Sequence, residues 1–174
     1  MDNGSRIERL EQEFFNRPCP GVARDLLGQI LVFKNFTGII TETESYRGID
    51  DPASHAFRGA TPRAGIMFGK PGISYVYLIY GMYYCLNFVT EEEGSASAVL
   101  IRGLKLITPT AKLLDGPGKL CRELGINKSH NNIDLTLSED FYVAKGESVR
   151  EFDITPRIGI KVGLDKLWRF VAKI

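Results

Sequence analysis

Cysteine and histidine are scarce in this chain, and their positions do not fit a disulfide framework or a metal site. The 174 residues include three cysteines, Cys19, Cys85 and Cys121, and two histidines, His55 and His130. An odd number of widely spaced cysteines does not predict paired disulfides. The chain has no Cys-x-x-Cys or His-Glu-x-x-His pattern, so we expect no metal. Cys85 and Cys121 lie in apolar stretches, where a free cysteine is usually a core residue.

A membrane-spanning run, a signal sequence and a strongly basic composition are also missing. No apolar stretch is long enough to cross a bilayer, and the polar start of the chain does not resemble a secretory signal. We therefore expect a cytoplasmic protein without a membrane partner. The net charge of +1 does not fit a sequence-blind DNA coat. Between positions 102 and 128, however, six basic residues face two acidic ones, so the chain can present a basic face to phosphates.

The length fits one domain over residues 1–174, with a mixture of helices and strands. Helical spacing and glycine stops predict helices at 7–15, 22–27 and 118–124. Alternating or β-prone runs predict strands at 29–33, 38–46, 97–106, 141–145, 157–162 and 166–171, and a hairpin of 74–80 with 83–90. Residues 47–72 are rich in glycine and proline, and we interpret them as an ordered binding loop with short helical turns. The acidic run at 91–95 predicts an exposed, solvated loop.

The predicted strand 38–46 carries two carboxylates and a phenol on one face. Glu42, Glu44 and Tyr46 alternate with threonine and serine, so their side chains point to the same side. A glutamate beside a tyrosine, next to a loop that contains His55, is a candidate general acid or base. The alternative is an edge strand on which both glutamates are ordinary solvated residues. The residues alone leave both interpretations open.

Tyrosines crowd the predicted hairpin, at positions 75, 77, 80, 83 and 84. They either form a packed hairpin with tyrosines at its rim, or stack on unpaired bases, a contact worth about 1–3 kcal/mol per base. Tyr80 precedes Gly81 at the expected tip, where a bulky ring can act as a wedge in a base stack.

Two further segments have a structural and a functional interpretation. Residues 116–119, Gly-Pro-Gly-Lys, lack the spacing of a nucleoside triphosphate loop. Their amides either hold a DNA phosphate or simply begin a helix. His130 has polar neighbours on both sides, which favours a surface loop.

These segments together resemble the alkyladenine (3-methyladenine) DNA glycosylases, the mammalian-type purine DNA glycosylases and their bacterial homologues. The similarity runs from about residue 10 to residue 169, nearly the whole chain. It is carried by TESY at 43–46, DPASH at 51–55, TPR at 61–63, MF at 67–68, KPG at 70–72, YVYLIYGMYYCLN at 75–87, VLIR at 99–102, GPGKLC at 116–121 and INK at 126–128. The long middle block, 75–87, is highly specific.

The resemblance implies an α+β fold, with one compact domain around a curved antiparallel sheet and flanking helices. It implies a monomer without cofactor whose partner is double-stranded DNA containing a damaged purine, in the cytoplasm or on a bacterial nucleoid. A duplex hides the glycosidic bond, so such an enzyme must flip the nucleotide out of the stack. It would hydrolyse the N-glycosidic bond of 3-methyladenine, 7-methylguanine, hypoxanthine or ethenoadenine by water attack at C1′, without strand cleavage.

The resemblance also implies roles for individual residues. Glu44 matches the catalytic base, and Arg102 matches its partner, which positions the water and is expected to favour ionised Glu44. Tyr80 matches the intercalating wedge. The base pocket would be formed by Tyr46, Ala53, His55, Tyr77, Asn87 and Leu100. The positions that match DNA contacts are Met67, Met82, Tyr83, Lys119 and Lys128.

The chain also departs from the family pattern in two places. The stretch from 102 to 115 is short where larger relatives have an insertion, and no Gly-x-Pro-aromatic-Val-Ser-like tail follows Arg169. In relatives a main-chain carbonyl of that tail helps to hold the catalytic water. We therefore expect either another group in its place or a water that is less well fixed. The alternative function is a non-catalytic lesion-binding protein of the same fold.

Overall fold

The computed structural model describes residues 7–174, and two long strands form its centre. These strands, β2 (Phe36–Arg47) and β5 (Ser97–Thr108), have 12 residues each and pair antiparallel along most of their length. The other strands are β1 (Ile30–Phe33), β3 (Ser74–Ile79), β4 (Tyr83–Thr90), β6 (Lys112–Asp115), β7 (Phe141–Ala144), β8 (Phe152–Thr155) and β9 (Arg169–Ala172). The helices are α1 (Gln12–Phe15), α2 (Cys19–Asp25) and α3 (Pro117–Leu124), with 3-10 segments at Gly48–Asp50, Ala64–Phe68 and Lys128–His130.

The described strands form one nine-stranded antiparallel sheet in the order β3-β4-β5-β2-β1-β7. Each long strand changes neighbour along its length. The first part of β2 pairs with β1 and residues 42–44 pair with β9, while β5 pairs first with β4 and then with β6. The sheet therefore curls, and the expected α+β fold with a curved antiparallel sheet is confirmed.

The main core fills the space between the sheet and the helices. Helix α2 packs on β2 and β5, and α3 packs on β4 and β5. Fully buried side chains of this core include Phe15, Leu26, Phe33, Phe88 and Phe141. A smaller cluster of buried residues joins the loop 47–72 to the sheet, and the loop contains two 3-10 segments. The prediction of an ordered loop with short helical turns is therefore confirmed.

A β-bulge interrupts the pairing of β2 with β5. The register shifts on both sides of the Glu42–Gly103 pair, so Thr41 and Arg102 have no direct partner across these strands. A Cβ at Gly103 would lie 2.6 Å from Thr41 Oγ1, so the bulge requires glycine there. Bulges bend a strand and change where its side chains point. The Arg102 guanidinium lies against the carboxylates of β2, within 3.0 Å of Glu42 and 3.7 Å of Glu44.

Several predicted elements differ from the observed ones. The helix over 7–15 is wrong before Gln12, because Arg9 and Leu10 bond to β7 in extended conformation. The strand over 157–162 is also wrong, since Gly159 and Gly163 have positive φ angles of 74° and 70°. The short strands β6 and β8 were not predicted, and the terminal strand begins at Arg169 rather than at 166.

The acidic run at 91–95 is only partly solvated. Glu91 accepts a hydrogen bond from the Cys19 amide at 3.0 Å and pairs with Arg47 Nε at 3.1 Å. Its side chain is 14% exposed, whereas Glu92 and Glu93 are exposed. The prediction of a solvated loop is therefore wrong for Glu91, which ties the start of α2 to β2.

The predicted core cysteines are confirmed, because Cys85 and Cys121 are both buried. His130 is half-buried and accepts a hydrogen bond from the Asn127 amide, while its ring meets Phe33 edge-on at 4.8 Å. It therefore packs on the sheet as well as capping its 3-10 turn. In residues 7–174, no helix combines the length and the apolar character needed to cross a membrane.

Candidate active site

Glu44 lies on the central strand β2, and the Ile158 segment contacts it. Its side chain is fully buried. The carboxylate accepts hydrogen bonds from the Tyr46 hydroxyl at 2.9 Å and from the Ile158 main-chain amide at 2.6 Å. Arg102 Nη1 lies 3.7 Å from Glu44 Oε1. The interpretation of strand 38–46 as a solvated edge is therefore wrong for Glu44.

The environment of Glu44 changes its protonation equilibrium. Burial raises the pKa of the Glu44 carboxyl, and this outweighs the opposite influence of Arg102, the Ile158 amide and the Tyr46 hydroxyl. Arg102 thus favours the ionised form as expected, but the net shift of the pKa is upward. A carboxylate with a raised pKa is closer to neutral pH, where a general base is most effective.

A second carboxylate holds Arg102 in place. Glu42 Oε1 lies 3.0 Å from Arg102 Nε and 2.7 Å from Arg169 Nε. The Arg169 Nη1 also donates to Thr155 Oγ1 at 3.0 Å. Because these residues come from four strands, the network connects β5, β2, β9 and β8 beside Glu44.

A cavity of about 540 Å³ opens beside this network. It has the size of a small-molecule site. The structure brings all six predicted base-pocket residues and Arg102 to its wall: Tyr46, Ala53, His55, Tyr77, Asn87, Leu100 and Arg102. Glu44 lies behind this wall, because Tyr46 and Ile158 contact its carboxylate.

Three rings form one side of the cavity. His55 Nδ1 and the Tyr75 hydroxyl share a hydrogen bond of 3.0 Å, and the rings of His55 and Tyr77 are 4.6 Å apart. Desolvation by the surrounding rings lowers the pKa of His55, and the Arg63 charge acts in the same direction. Burial raises the pKa of the Tyr77 hydroxyl above its usual range. The wall is therefore aromatic and uncharged at neutral pH, which suits a stacked purine.

Asn87 and Leu100 are fixed at the back of the cavity by strand pairing. They are direct partners across β4 and β5, and both are buried. The Asn87 side-chain amide donates to the Tyr75 carbonyl at 3.1 Å. The shape of this part of the cavity is therefore set by the sheet rather than by a loop.

The hairpin tip between β3 and β4 forms the mouth. Tyr80 and Gly81 have positive φ angles of 53° and 63°, as in a type I′ turn. A left-handed conformation is unfavourable for a tyrosine, and its ring is 82% exposed. Beside it, Tyr83 is 41% exposed and Met82 is 70% exposed.

Helix α3 forms the basic side of the mouth. A Cβ at Gly118 would lie 3.0 Å from Tyr83 Cβ, so the helix start packs closely against the hairpin. Lys119 lines the cavity and pairs with Asp115 at 2.8 Å, while Arg122 lines it nearby. The structure thus supports a helix start, and a phosphate contact at 116–119 stays a prediction.

Two residues that were expected to contact DNA are not at the mouth. Met67 is 2% exposed and belongs to the cavity wall, and a contact of Met67 with DNA stays a prediction. Lys128 is exposed on the 3-10 segment Lys128–His130 and does not line the cavity. A contact of Lys128 with DNA stays a prediction.

A buried ion pair that was not predicted from the sequence lies behind the site. Arg157 Nη2 lies 2.9 Å from Asp51 Oδ1, and both side chains are fully buried. Asp51 belongs to the family-like run at 51–55, which was its only signal. Arg157 is 106 residues away in sequence, so no local pattern connects the two.

What holds the catalytic water stays a prediction, but a late main-chain segment lies close to Glu44. The Ile158 amide reaches Glu44, and residues 158–160 line the cavity. A main-chain segment late in the sequence is therefore present beside the carboxylate. Among residues 7–174, no group of three His, Cys, Asp or Glu side chains is placed to hold a metal ion.

The chain is similar to known proteins over nearly its whole length. The family model described as methylpurine-DNA glycosylase matches residues 13–174. A protein from Wolbachia sp. subsp. Brugia malayi, named "Putative 3-methyladenine DNA glycosylase", is 57% identical over 163 residues, which cover 94% of this chain and 96% of that protein. Proteins with the same name from Sodalis glossinidius and Rickettsia felis are 58% and 57% identical, over 161 and 168 residues. These two alignments cover 92% and 97% of this chain, and 95% of each relative.

Proposed function

The chain belongs to the methylpurine-DNA glycosylase family, and on this basis we propose that it hydrolyses the N-glycosidic bond of alkylated or deaminated purines in double-stranded DNA. The observation that carries this proposal is the position of Glu44, a buried carboxylate held by Arg102 and a main-chain amide behind an aromatic cavity. The substrates would include 3-methyladenine, 7-methylguanine, hypoxanthine and ethenoadenine.

Base flipping would bring the damaged nucleotide into the cavity. A base inside a duplex is hidden, so the nucleotide must leave the stack before its glycosidic bond is accessible. The exposed ring of Tyr80 would fill the gap in the duplex. The extruded purine would stack on Tyr46, His55 and Tyr77, which line the cavity. A cationic purine would bind most strongly, because cations are attracted to aromatic faces.

Glu44 would act as the general base. In the proposed step its carboxylate accepts a proton from a water molecule as the water oxygen bonds to C1′ and the purine departs with the electrons of the C–N bond. The same negative charge would stabilise the cationic sugar that develops in this reaction. Since Glu44 has no exposed surface, entry of the nucleotide must move Tyr46 or Ile158 to admit the water.

The proposed reaction has no amine nucleophile and therefore no strand cleavage. Lys119 is the only lysine on the cavity wall of the described chain. Its ammonium group pairs with Asp115 at 2.8 Å, and an ammonium group that pairs with a carboxylate is not nucleophilic. Borohydride should therefore trap no covalent complex between the protein and lesion DNA.

A lesion panel tests the proposed activity. Duplexes that each contain one of the four damaged purines are incubated with the protein, and released free base and alkali-labile sites are measured. We expect free base and an abasic site in equal amounts from at least one lesion, and none from an undamaged duplex. Tight lesion binding without release from any duplex would overturn the proposal and support a lesion-binding protein.

A further inference from the structure

Arg157 is a fully buried cationic side chain near the cavity, although it does not line it. Its Nη1 donates to Asp51 Oδ2 at 2.5 Å and to the Ser45 carbonyl at 2.9 Å. Its Nη2 donates to Asp51 Oδ1 at 2.9 Å and to the Gly163 carbonyl at 3.3 Å. A bidentate contact of this kind fixes the orientation of the guanidinium as well as its position.

The guanidinium also supports an aromatic ring of the cavity wall. Its carbon lies 4.7 Å from the centre of the Tyr46 ring and 5.3 Å from the centre of the Trp168 ring. Because Tyr46 lines the cavity and Arg157 does not, the cation supports the ring from the protein side.

The next residue in the chain is the one that reaches the candidate base. The Ile158 amide donates to Glu44 Oε2 at 2.6 Å, in a segment without regular secondary structure. No strand pairing holds this amide in place, and the adjacent side chain of Arg157 ties the segment to Ser45 and Asp51. Asp51 in turn is fixed by the amides of Arg47 and Ala53, each at 3.1 Å.

We propose that Asp51 and Arg157 are positioning residues for Glu44, which hold the Ile158 amide against its carboxylate and the Tyr46 ring against the cavity. This inference rests on the proposed glycosylase function. Neither residue touches the reacting atoms, so each acts through the groups that it holds. Loss of either contact would leave the ionised carboxylate without a hydrogen bond that favours it.

The charged and titratable groups around Glu44 come from several elements. Glu42 and Tyr46 lie on β2, Arg102 lies on β5, and Cys85 lies on β4. Arg169 on β9 acts through Glu42. All of these groups are present in every variant, and of them only Tyr46 contacts Arg157, so the charges of the others contribute equally to each variant.

The two substitutions Asp51→Asn and Arg157→Gln separate positioning from charge. Base release requires ionised Glu44, so the rate falls as the pH drops through the pKa of this carboxyl. This fall is the acid limb of the pH–rate profile. Removing Asp51 leaves a positive charge near Glu44, and charge alone would move this acid limb to lower pH. Removing Arg157 leaves a negative charge, and charge alone would move the limb to higher pH. Loss of the Ile158 amide contact moves the limb to higher pH in both variants.

The test is single-turnover base release, measured against pH for both variants. The expected result is a limb at higher pH in both, with a rate about tenfold lower at pH 7, as for the loss of a hydrogen bond to a charged group. A limb that stays in place or moves to lower pH in Asp51→Asn would overturn the proposal. A lower rate with an unchanged pH profile would show a purely structural role and would also overturn it.

Two further variants and a second measurement complete the test. Asp153→Asn removes an exposed ion pair with Lys173 at 3.2 Å and should leave the profile unchanged. Arg157→Lys keeps the charge but loses the bidentate contact, and should move the acid limb to higher pH. This variant carries the test if the other two do not fold. Carbon-13 NMR of the Glu44 carboxyl should show the same upward shift without requiring activity. If the wild-type protein releases no base but this shift is seen, the proposed function is wrong and the positioning role stands.

Discussion

Tyr46 and Tyr80 border the same cavity, yet their surroundings are opposite. Tyr46 lies on the central strand β2, donates to Glu44 at 2.9 Å, and has Arg157 4.7 Å from its ring centre. Tyr80 lies at a hairpin tip, is 82% exposed, and has a positive φ of 53°. Among the hydrogen bonds and ring contacts of the described chain, the Tyr80 side chain takes part in none.

The difference indicates separate roles for the two ends of the cavity, with catalysis at the inner end and DNA binding at the mouth. At the inner end the groups are held by hydrogen bonds within the protein before DNA binds, so the only rearrangement required is the movement of Tyr46 or Ile158 that admits the water. At the mouth an exposed ring on an unfavourable backbone has no hydrogen bond or ring contact with the described residues 7–174, which fits a contact that forms only with DNA. Substitutions at the inner end should therefore change the rate, whereas substitutions at the mouth should change affinity alone.

The largest effect is expected at the inner end, from Glu44→Gln. The amide has nearly the same shape but cannot accept the proton from water, so the rate of base release should fall by about 10²–10⁴-fold. Lesion affinity should stay within a few fold of the wild-type value. Single-turnover kinetics and a gel-shift assay measure the two quantities. The control is Glu139→Gln, an exposed glutamate outside the cavity. An unchanged rate in Glu44→Gln would remove the general-base assignment.

The next effect should appear at the mouth, in Tyr80→Ala. Loss of a stacked ring is expected to weaken lesion binding by about 1–3 kcal/mol. The melting temperature should not change, because the ring is 82% exposed. Fluorescence anisotropy with lesion and undamaged duplexes measures the affinity. Leu137→Ala removes another exposed apolar side chain, at 77% exposure, and serves as the control. Equal lesion affinity in wild type and Tyr80→Ala would contradict the role as a wedge.

A smaller effect should follow from Tyr46→Phe, which keeps the ring and removes one hydroxyl. This hydroxyl donates to Glu44 and lowers its pKa, so its loss should move the acid limb of base release to higher pH. The activation free energy at neutral pH should rise by about 0.5–1.5 kcal/mol, the usual net value of one hydrogen bond, so base release should be slower. Lesion affinity should be retained, since the stacking face remains. Tyr142→Phe, on the distant strand β7, is the matched control. An acid limb at the same pH as in the wild type would show that the Tyr46 hydroxyl does not affect the protonation of Glu44.

The features predicted correctly from the sequence are those with a local cause. The alternation at 42, 44 and 46 placed three side chains on one face of β2, and their contacts confirm it. The hairpin is confirmed, with its turn one residue earlier than predicted: β3 ends at Ile79, and Tyr80 and Gly81 have the positive φ angles of a tight turn. Both features depend on a few neighbouring residues, so a short stretch of sequence contains the information.

The features that were missed depend on residues far apart in the chain. One of the groups that contacts the buried Glu44 is the Ile158 amide, 114 residues later. The strand predicted at 157–162 fails because Arg157 turns inward to reach Asp51, and two glycines with positive φ follow it. Strands β6 and β8, which were also missed, pair with β5 and β9.

The smallest effect concerns His55, which lines the cavity. Its protonation shows whether this part of the wall is desolvated like the inner end or solvated like the mouth. Desolvation lowers its pKa in the folded protein, so the neutral ring is favoured over the charged one. In the unfolded chain a histidine has a pKa of about 6.5. As the pH falls below that value, the unfolded state therefore binds a proton before the folded state does, and stability is lost. His55→Gln lacks this proton and should lose less stability between pH 7.5 and pH 5.5, as measured by thermal melts followed by circular dichroism. The lowered pKa of His130 affects both proteins equally, so it cancels in the difference. A fall in melting temperature of the same size in both would mean that His55 is solvated like the mouth, whereas a smaller fall in the variant places it with the desolvated inner end.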